Sequence, residues 1–136
     1  MIFMKRQDYL NIIAYANQGL PNEVCGLLGG VIDGDRKVIR KIYYLTNADA
    51  SREHFSMEPK EQLEAIKDMR KHGFQMIGNF HSHPESPSRP SEEDKRLAYD
   101  SKIRYLILSL MDSHQPVLRA FAIEGGNVST EEIQLI

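Results

Sequence analysis

The sequence predicts an α/β or α+β domain in which a mixed β-sheet is flanked by helices. Two observations carry that expectation. Segments with apolar residues at helical spacing alternate with shorter runs rich in Val, Ile, Leu and Tyr. Gly, Pro, Asn and Asp separate these segments at short intervals, and no repeat, low-complexity tract or linker divides the chain, so one domain is expected over residues 1–136.

In chain order, Ile2 to Met4 reads as a short strand. Gln7 to Gln18 carries Leu10, Ile13 and Ala14 at helical spacing, and Gly19 and Pro21 end it. Val24 to Ile32 is a strand rich in small residues, Asp33-Gly34-Asp35 a turn, and Lys37 to Leu45 the returning strand. Thr46 to Met57 is polar and irregular. Pro59 suits the first turn of a helix running to about His72, with Leu63, Ile66 and Met69 expected inside and Gly73 closing it. Gln75 to His83 is a strand, followed by a loop holding Pro84, Pro87 and Pro90. Ser91 to Ser101 reads as a third helix. Arg104 to Leu110, Pro116 to Ile123 and Val128 to Leu135 are three further strands.

Composition excludes several classes. Lys+Arg 17 against Asp+Glu 19 gives a net charge of −2, with no basic surplus for nucleic acid. The opening Met1-Ile2-Phe3-Met4-Lys5-Arg6 lacks the apolar run of a signal peptide, and Tyr105 to Met111 is too short to span a bilayer. A cytoplasmic location without membrane attachment is therefore expected. The single cysteine, Cys25, rules out an internal disulfide and a multi-thiolate zinc cluster, so a metal held here must use His, Asp and Glu.

The chemistry concentrates in His81-Ser82-His83-Pro84 and in Asp94 beyond it. On a strand, residues i and i+2 share a face, so both imidazoles can reach one ion. Taken alone, the pair fits two surface histidines at a strand end equally well. Asp94 adds weight. Ser91-Glu92-Glu93-Asp94 opens the third helix, and helical spacing groups Asp94 with Leu97, Ala98 and Ser101 on the inward face. A helix-cap role competes, because Ser91 is a good N-cap and an acid three residues on suits a capping box. Three protein ligands leave a fourth position open, which suits hydrolysis. Hydrolysis also needs a proton shuttle, for which the candidate is Glu23, at the edge of an otherwise apolar strand; a solvated acid at a strand start is the alternative. The glycines at 26, 29 and 30 lack the Lys-Ser/Thr ending of a phosphate loop and fit close strand packing. His54, His72 and His114 are isolated and expected at the surface, and Cys25 is expected to be packed in its strand. Arg52, Glu53, Phe55 and Met57 of the irregular segment are candidates for the border of a substrate channel, and Glu85 for a substrate contact.

Together, Glu23, His81-x-His83-Pro84, Ser91 and Asp94 resemble the signature of the JAMM (MPN-plus) metalloproteases, and Glu23-Val24-Cys25-Gly26-Leu27-Leu28-Gly29 is similar to the strand carrying that family's catalytic glutamate. The chain is similar to the compact prokaryotic members, some of which cleave after the C-terminal glycine of ubiquitin-like sulfur carriers. The resemblance implies a cytidine-deaminase-like three-layer sandwich. It implies one Zn²⁺ on His81, His83 and Asp94, Glu23 as general base, and Ser91 as oxyanion donor. It also implies a zinc peptidase or isopeptidase acting after the C-terminal Gly-Gly of a ubiquitin-like or sulfur-carrier protein. A non-catalytic scaffold and a small-peptide hydrolase are the competing readings. The donor set alone admits iron or manganese as well as zinc, and the oligomeric state is not encoded in these features.

Overall fold

The computed structural model describes residues Met1–Ile136. Its elements are β1 (Ile2–Met4), α1 (Arg6–Gly19), β2 (Cys25–Asp33), β3 (Arg36–Leu45), α2 (Pro59–His72), β4 (Gln75–His83), α3 (Glu92–Arg96), β5 (Arg104–Ser109), β6 (Val117–Glu124), β7 (Asn127–Glu131) and β8 (Ile133–Leu135). No helix is long and apolar enough to cross a membrane.

The strands form one mixed sheet in the order β7-β6-β5-β4-β2-β3-β1-β8. The expected three-layer, cytidine-deaminase-like sandwich does not hold: the sheet curls into a nearly closed eight-stranded barrel flanked by helices. Its two edge strands, β7 and β8, are separated in the chain by one residue, Glu132. At that point the chain leaves β6, where Glu131 pairs with Ala120, and joins β1, where Ile133 pairs with Ile2. The single strand expected over Val128 to Leu135 is thus two strands with different partners.

An ion cluster marks the closure. The Glu131 carboxylate accepts from Lys37 Nζ at 2.9 Å, from Arg104 Nε at 2.6 Å, and lies 3.0 Å from the Met1 ammonium. Lys37 is on β3 and Arg104 on β5, so strands distant in the sheet order converge on one side chain. Burial opposes ionisation of Glu131, but the three cations win and hold its pKa at about 2 against an ordinary 4.5. The stabilisation is complete above pH 4.5 and is lost as pH falls toward 2. Glu131→Gln is expected to cost about 1–2 kcal/mol at pH 7, allowing for solvent screening. Urea titrations at pH 7 and pH 3 check this, and the gap should narrow at the lower pH.

The pleat divides the core. Leu28, Phe80, Leu106 and Leu108 pack on one face with Ile12 and Ala16 of α1. Cys25, Leu27, Tyr43 and Leu45 pack on the other with Ala65 and Met69 of α2. Leu63, expected inside, is 52% exposed, because α2 turns its Ala65–Met69 face to the sheet. The glycine-rich strand is closely packed as expected: a Cβ on Gly26 would lie 2.2 Å from the Phe80 ring, and one on Gly30 would lie 2.0 Å from the Val38 carbonyl oxygen. These close approaches hold β2 tightly between β3 and β4, and so fix the segment that carries Glu23.

Candidate active site

The site lies at the C-terminal end of β4. His81 and His83 share one face of the strand, and both are buried. Ser82 points the other way, and its Oγ accepts from the Val24 amide at 2.9 Å while its own amide donates to the Val24 carbonyl at 3.0 Å. This ties the Glu23 segment to the histidine segment. The antiparallel register does the same: Cys25 pairs with His81, which carries Glu23 toward His83. Glu23 itself is 5% exposed, and its backbone is clamped by the Ser51 carbonyl and by Asn47 Nδ2.

Asp94 arrives from α3. That helix is five residues long, not the eleven expected, and it ends at Arg96. Of the expected inward stripe, Leu97 is 47% exposed, Ser101 is exposed and only Ala98 packs on a core cluster, so the stripe does not explain why Asp94 turns inward. A capping box does. The Ser91 hydroxyl accepts from the Asp94 amide at 3.0 Å, and Asp94 Oδ2 accepts from the Ser91 amide at 2.9 Å. The same Oδ2 lies 3.1 Å from His83 Nε2 and 3.3 Å from His81 Nε2, and the two Nε2 atoms are 3.1 Å apart. Cap and ligand roles therefore coexist on one carboxylate.

These three residues can hold a metal ion. A tetrahedral ion with bonds of about 2.0–2.1 Å separates its ligand atoms by about 3.3–3.4 Å, close to the spacings found. His83 supplies the decisive fit. Its Nδ1 donates to the Pro87 carbonyl at 2.9 Å, so neutral His83 presents a lone pair at Nε2. That lone pair faces the Asp94 oxygen and the His81 nitrogen, an arrangement that needs a cation between them. Without an ion a proton serves. Burial lowers the His83 pKa, but the bonds to Asp94 and Pro87 outweigh it and raise the net value. Burial also opposes the charge on Asp94, yet His81 and His83 hold its carboxyl far below the usual range. His81 is lowered, because burial outweighs its bond to Asp94.

Glu23, Ser91 and His83 line one cleft of about 410 Å³, together with Arg52, Glu53 and Glu85. Burial pushes the Glu23 carboxyl up to about 8; His83 opposes the shift, and the charges of Asp94, Glu93 and Glu53 reinforce it. A carboxyl with that affinity for protons, beside a metal-binding triad, can accept and return a proton near neutral pH.

Among the other candidates, Arg52, Glu53 and Glu85 do border the cleft, whereas Met57 packs into the core beside α2. Phe55 has a more direct role than a border: its ring stacks on His81 at 4.5 Å between centroids. Cys25 is buried away from the cleft, and burial pushes its thiol up to about 12, so it is inert. His54 is exposed and pairs with Glu93, and His72 bonds back to Asp68 in its own helix. Two serines that hold the proline-rich loop, Ser88 within it and Ser109 at the end of β5, are not legible in the sequence. Ser88 Oγ donates to the Ile107 carbonyl at 2.7 Å, and Ser109 Oγ donates to the Ser86 carbonyl at 2.6 Å. They anchor the loop whose Pro87 carbonyl orients His83. The place of Ser88 among three prolines is the one sequence signal for either.

A family model for prokaryotic homologs of the JAB domain matches residues 5–124. The chain belongs to this family. The JAMM/MPN resemblance read from the motif is thereby borne out. The chain is 29% identical over 136 residues to a CysO-cysteine peptidase of Mycobacterium tuberculosis, covering 99% of this chain and 92% of that protein. It is 32% identical over 104 residues to a desampylase of Haloferax volcanii, covering 73% of each. The solution structure of a Desulfitobacterium hafniense protein superposes with a TM-score of 0.92 at 53% identity, covering 100% of this chain and 93% of that one. Kinship to metallopeptidases and an intact His-His-Asp donor set make this JAB-family chain an enzyme of the hydrolase class.

Proposed function

We propose that this protein is a zinc peptidase or isopeptidase that cleaves after the C-terminal Gly-Gly of a ubiquitin-like or sulfur-carrier protein. The observation that carries the reading is the convergence of His81, His83 and Asp94 on one point at the wall of a cleft lined by Glu23 and Ser91. The two peptidase relatives support the substrate class, since one is named for a CysO–cysteine substrate and the other as a desampylase. The complete donor set argues against a non-catalytic scaffold. The single free thiol fits a reducing cytoplasm, and residues 1–136 form the one domain that holds this site.

His81, His83 and Asp94 would hold the ion. Zinc, when bound, acts as a Lewis acid and lowers the pKa of water to about 7. Glu23 takes a proton from the attacking water and later delivers it to the departing amine, which its raised proton affinity permits. Ser91 donates its hydroxyl proton to the oxyanion that develops on the substrate carbonyl, while a lone pair of the same oxygen keeps the bond from the Asp94 amide. Buried Glu23 and His83 are backed by apolar strands, so the proton transfers are shielded from bulk water on one side.

The test is incubation of the zinc-loaded protein with a sulfur-carrier–cysteine adduct and with di-ubiquitin, each with and without a chelator. Release of cysteine that stops with chelator and resumes with added zinc is expected. Chelator-resistant cleavage, or cleavage of neither substrate, overturns the proposal.

A further inference from the structure

The lining of the catalytic cleft is informative about the leaving group. It contains no apolar side chain, and three carboxylates, Glu23, Glu53 and Glu85, surround one cation, Arg52. A lysine leaving group would lay a four-carbon stem along this surface, which has nothing apolar to receive it. A single amino acid released with its α-carboxylate free is small and polar, and Arg52 is the guanidinium on the cleft wall that can receive that carboxylate. Arg52 Nη1 already lies 3.6 Å from Glu85 Oε1, so a carboxylate within the cleft can reach it. Both side chains of that pair are largely exposed, so it is weak and readily displaced.

The geometry points to Arg52 as a specificity residue that binds the α-carboxylate of a leaving amino acid, in exchange for Glu85. This rests on the hydrolase reading above and deepens it. The test uses two substrates that differ in one group, a carrier–cysteine adduct and the corresponding carrier–cysteinamide. The zinc-loaded wild type is expected to prefer the carboxylate on the order of tenfold in kcat/KM. In Arg52→Gln that ratio should fall to about one, and Arg52→Lys should restore part of it. Equal turnover of both substrates by the wild type, or a ratio unchanged in Arg52→Gln, overturns the subsite and leaves the hydrolase standing. Failure to cleave either substrate overturns both.

A second, independent observation concerns the back of the metal triad. Two buried polar side-chain atoms have no hydrogen-bond partner, Asn79 Oδ1 and His81 Nδ1. Both residues are on β4 at i and i+2, hence on one face, and both line a cavity of about 50 Å³ walled by Phe55, Leu97 and Ile107. With His81 Nε2 turned to the triad, Nδ1 carries the proton and needs an acceptor, and the carboxamide oxygen is an acceptor without a donor. The cavity is large enough for one bridging water.

We infer that Asn79 is a positioning residue for His81, accepting from Nδ1–H through one water and so fixing the tautomer that ligates metal. Asn79→Leu is expected to raise the zinc dissociation constant about 10–100-fold in a chelator competition. The metal-free variant should stay folded, with a far-UV circular dichroism spectrum like that of the wild type. Asn79→Asp, which keeps the acceptor, should restore zinc affinity. An unchanged dissociation constant in Asn79→Leu, or a weakened affinity that Asn79→Asp fails to restore, overturns the assignment.

Discussion

Asp94→Asn is expected to strip the protein of metal and abolish turnover while leaving it folded. The substitution keeps the shape of the side chain and can keep its oxygen toward the Ser91 amide, so the capping box that holds α3 is largely retained. What disappears is the carboxylate charge that bonds both imidazoles. Two neutral histidines and a neutral amide leave the ion's charge unneutralised in a site where both histidines are buried. Bound zinc after dialysis should fall from about one per chain to under a tenth, an affinity loss of more than about 100-fold. Elemental analysis measures the first and chelator competition the second. The metal-free variant should also show a lower His83 pKa by NMR titration, since the partner that raises it is gone. Stoichiometric zinc in a folded Asp94→Asn protein would remove Asp94 from the ligand set.

The residues of this site were easier to read from the sequence than the reason they meet. The i, i+2 spacing of His81 and His83 gives their common face without further information, and β4 runs from Gln75 to His83 as its pattern predicts. Helix α2 likewise runs from Pro59 to His72, with Pro at its start and Gly73 in the left-handed conformation at its end, where the backbone chemistry is local. The third helix is shorter than its pattern predicts, because helical spacing alone does not supply a buried face. Leu97 is 47% exposed at the rim of a small cavity, Ala98 alone of the expected stripe packs on the β5–β6 cluster, and a helix with so little apolar contact ends after five residues. Asp94 is turned inward by its cap and its histidines, features that lie within a few residues or across the sheet but leave no periodic trace. Barrel closure was equally hidden. A strand pattern specifies an inward face, not which edge it meets. The change of partner at Glu132 and the convergence of Lys37, Arg104 and Met1 on Glu131 depend on the curl of the whole sheet.

Glu23→Gln is expected to lower kcat by roughly 10²–10⁴ with zinc content unchanged. The amide fills the same space but cannot take a proton from water, and Glu23 does not belong to the cluster whose donor atoms converge. The same substitution should make the metal-free protein more stable near neutral pH, and this is the sharper test of the environment. Glu23 binds its proton with a pKa of about 8 in the fold against an ordinary 4.5. Its contribution is therefore fully present below pH 4.5 and is lost as pH rises to about 8, because the native state must then bury a carboxylate. Wild type and variant should unfold alike at pH 4, with the variant gaining on the order of 2 kcal/mol at pH 8. Zinc should shrink that difference, since a cation beside the carboxylate relieves the cost of its charge. A rate loss paired with a gain in metal-free stability is the mark of a group held in an unfavourable state for its chemistry. Full turnover in Glu23→Gln would remove the glutamate from the proton path, and equal stability at pH 8 would mean that its carboxyl is hydrated rather than buried.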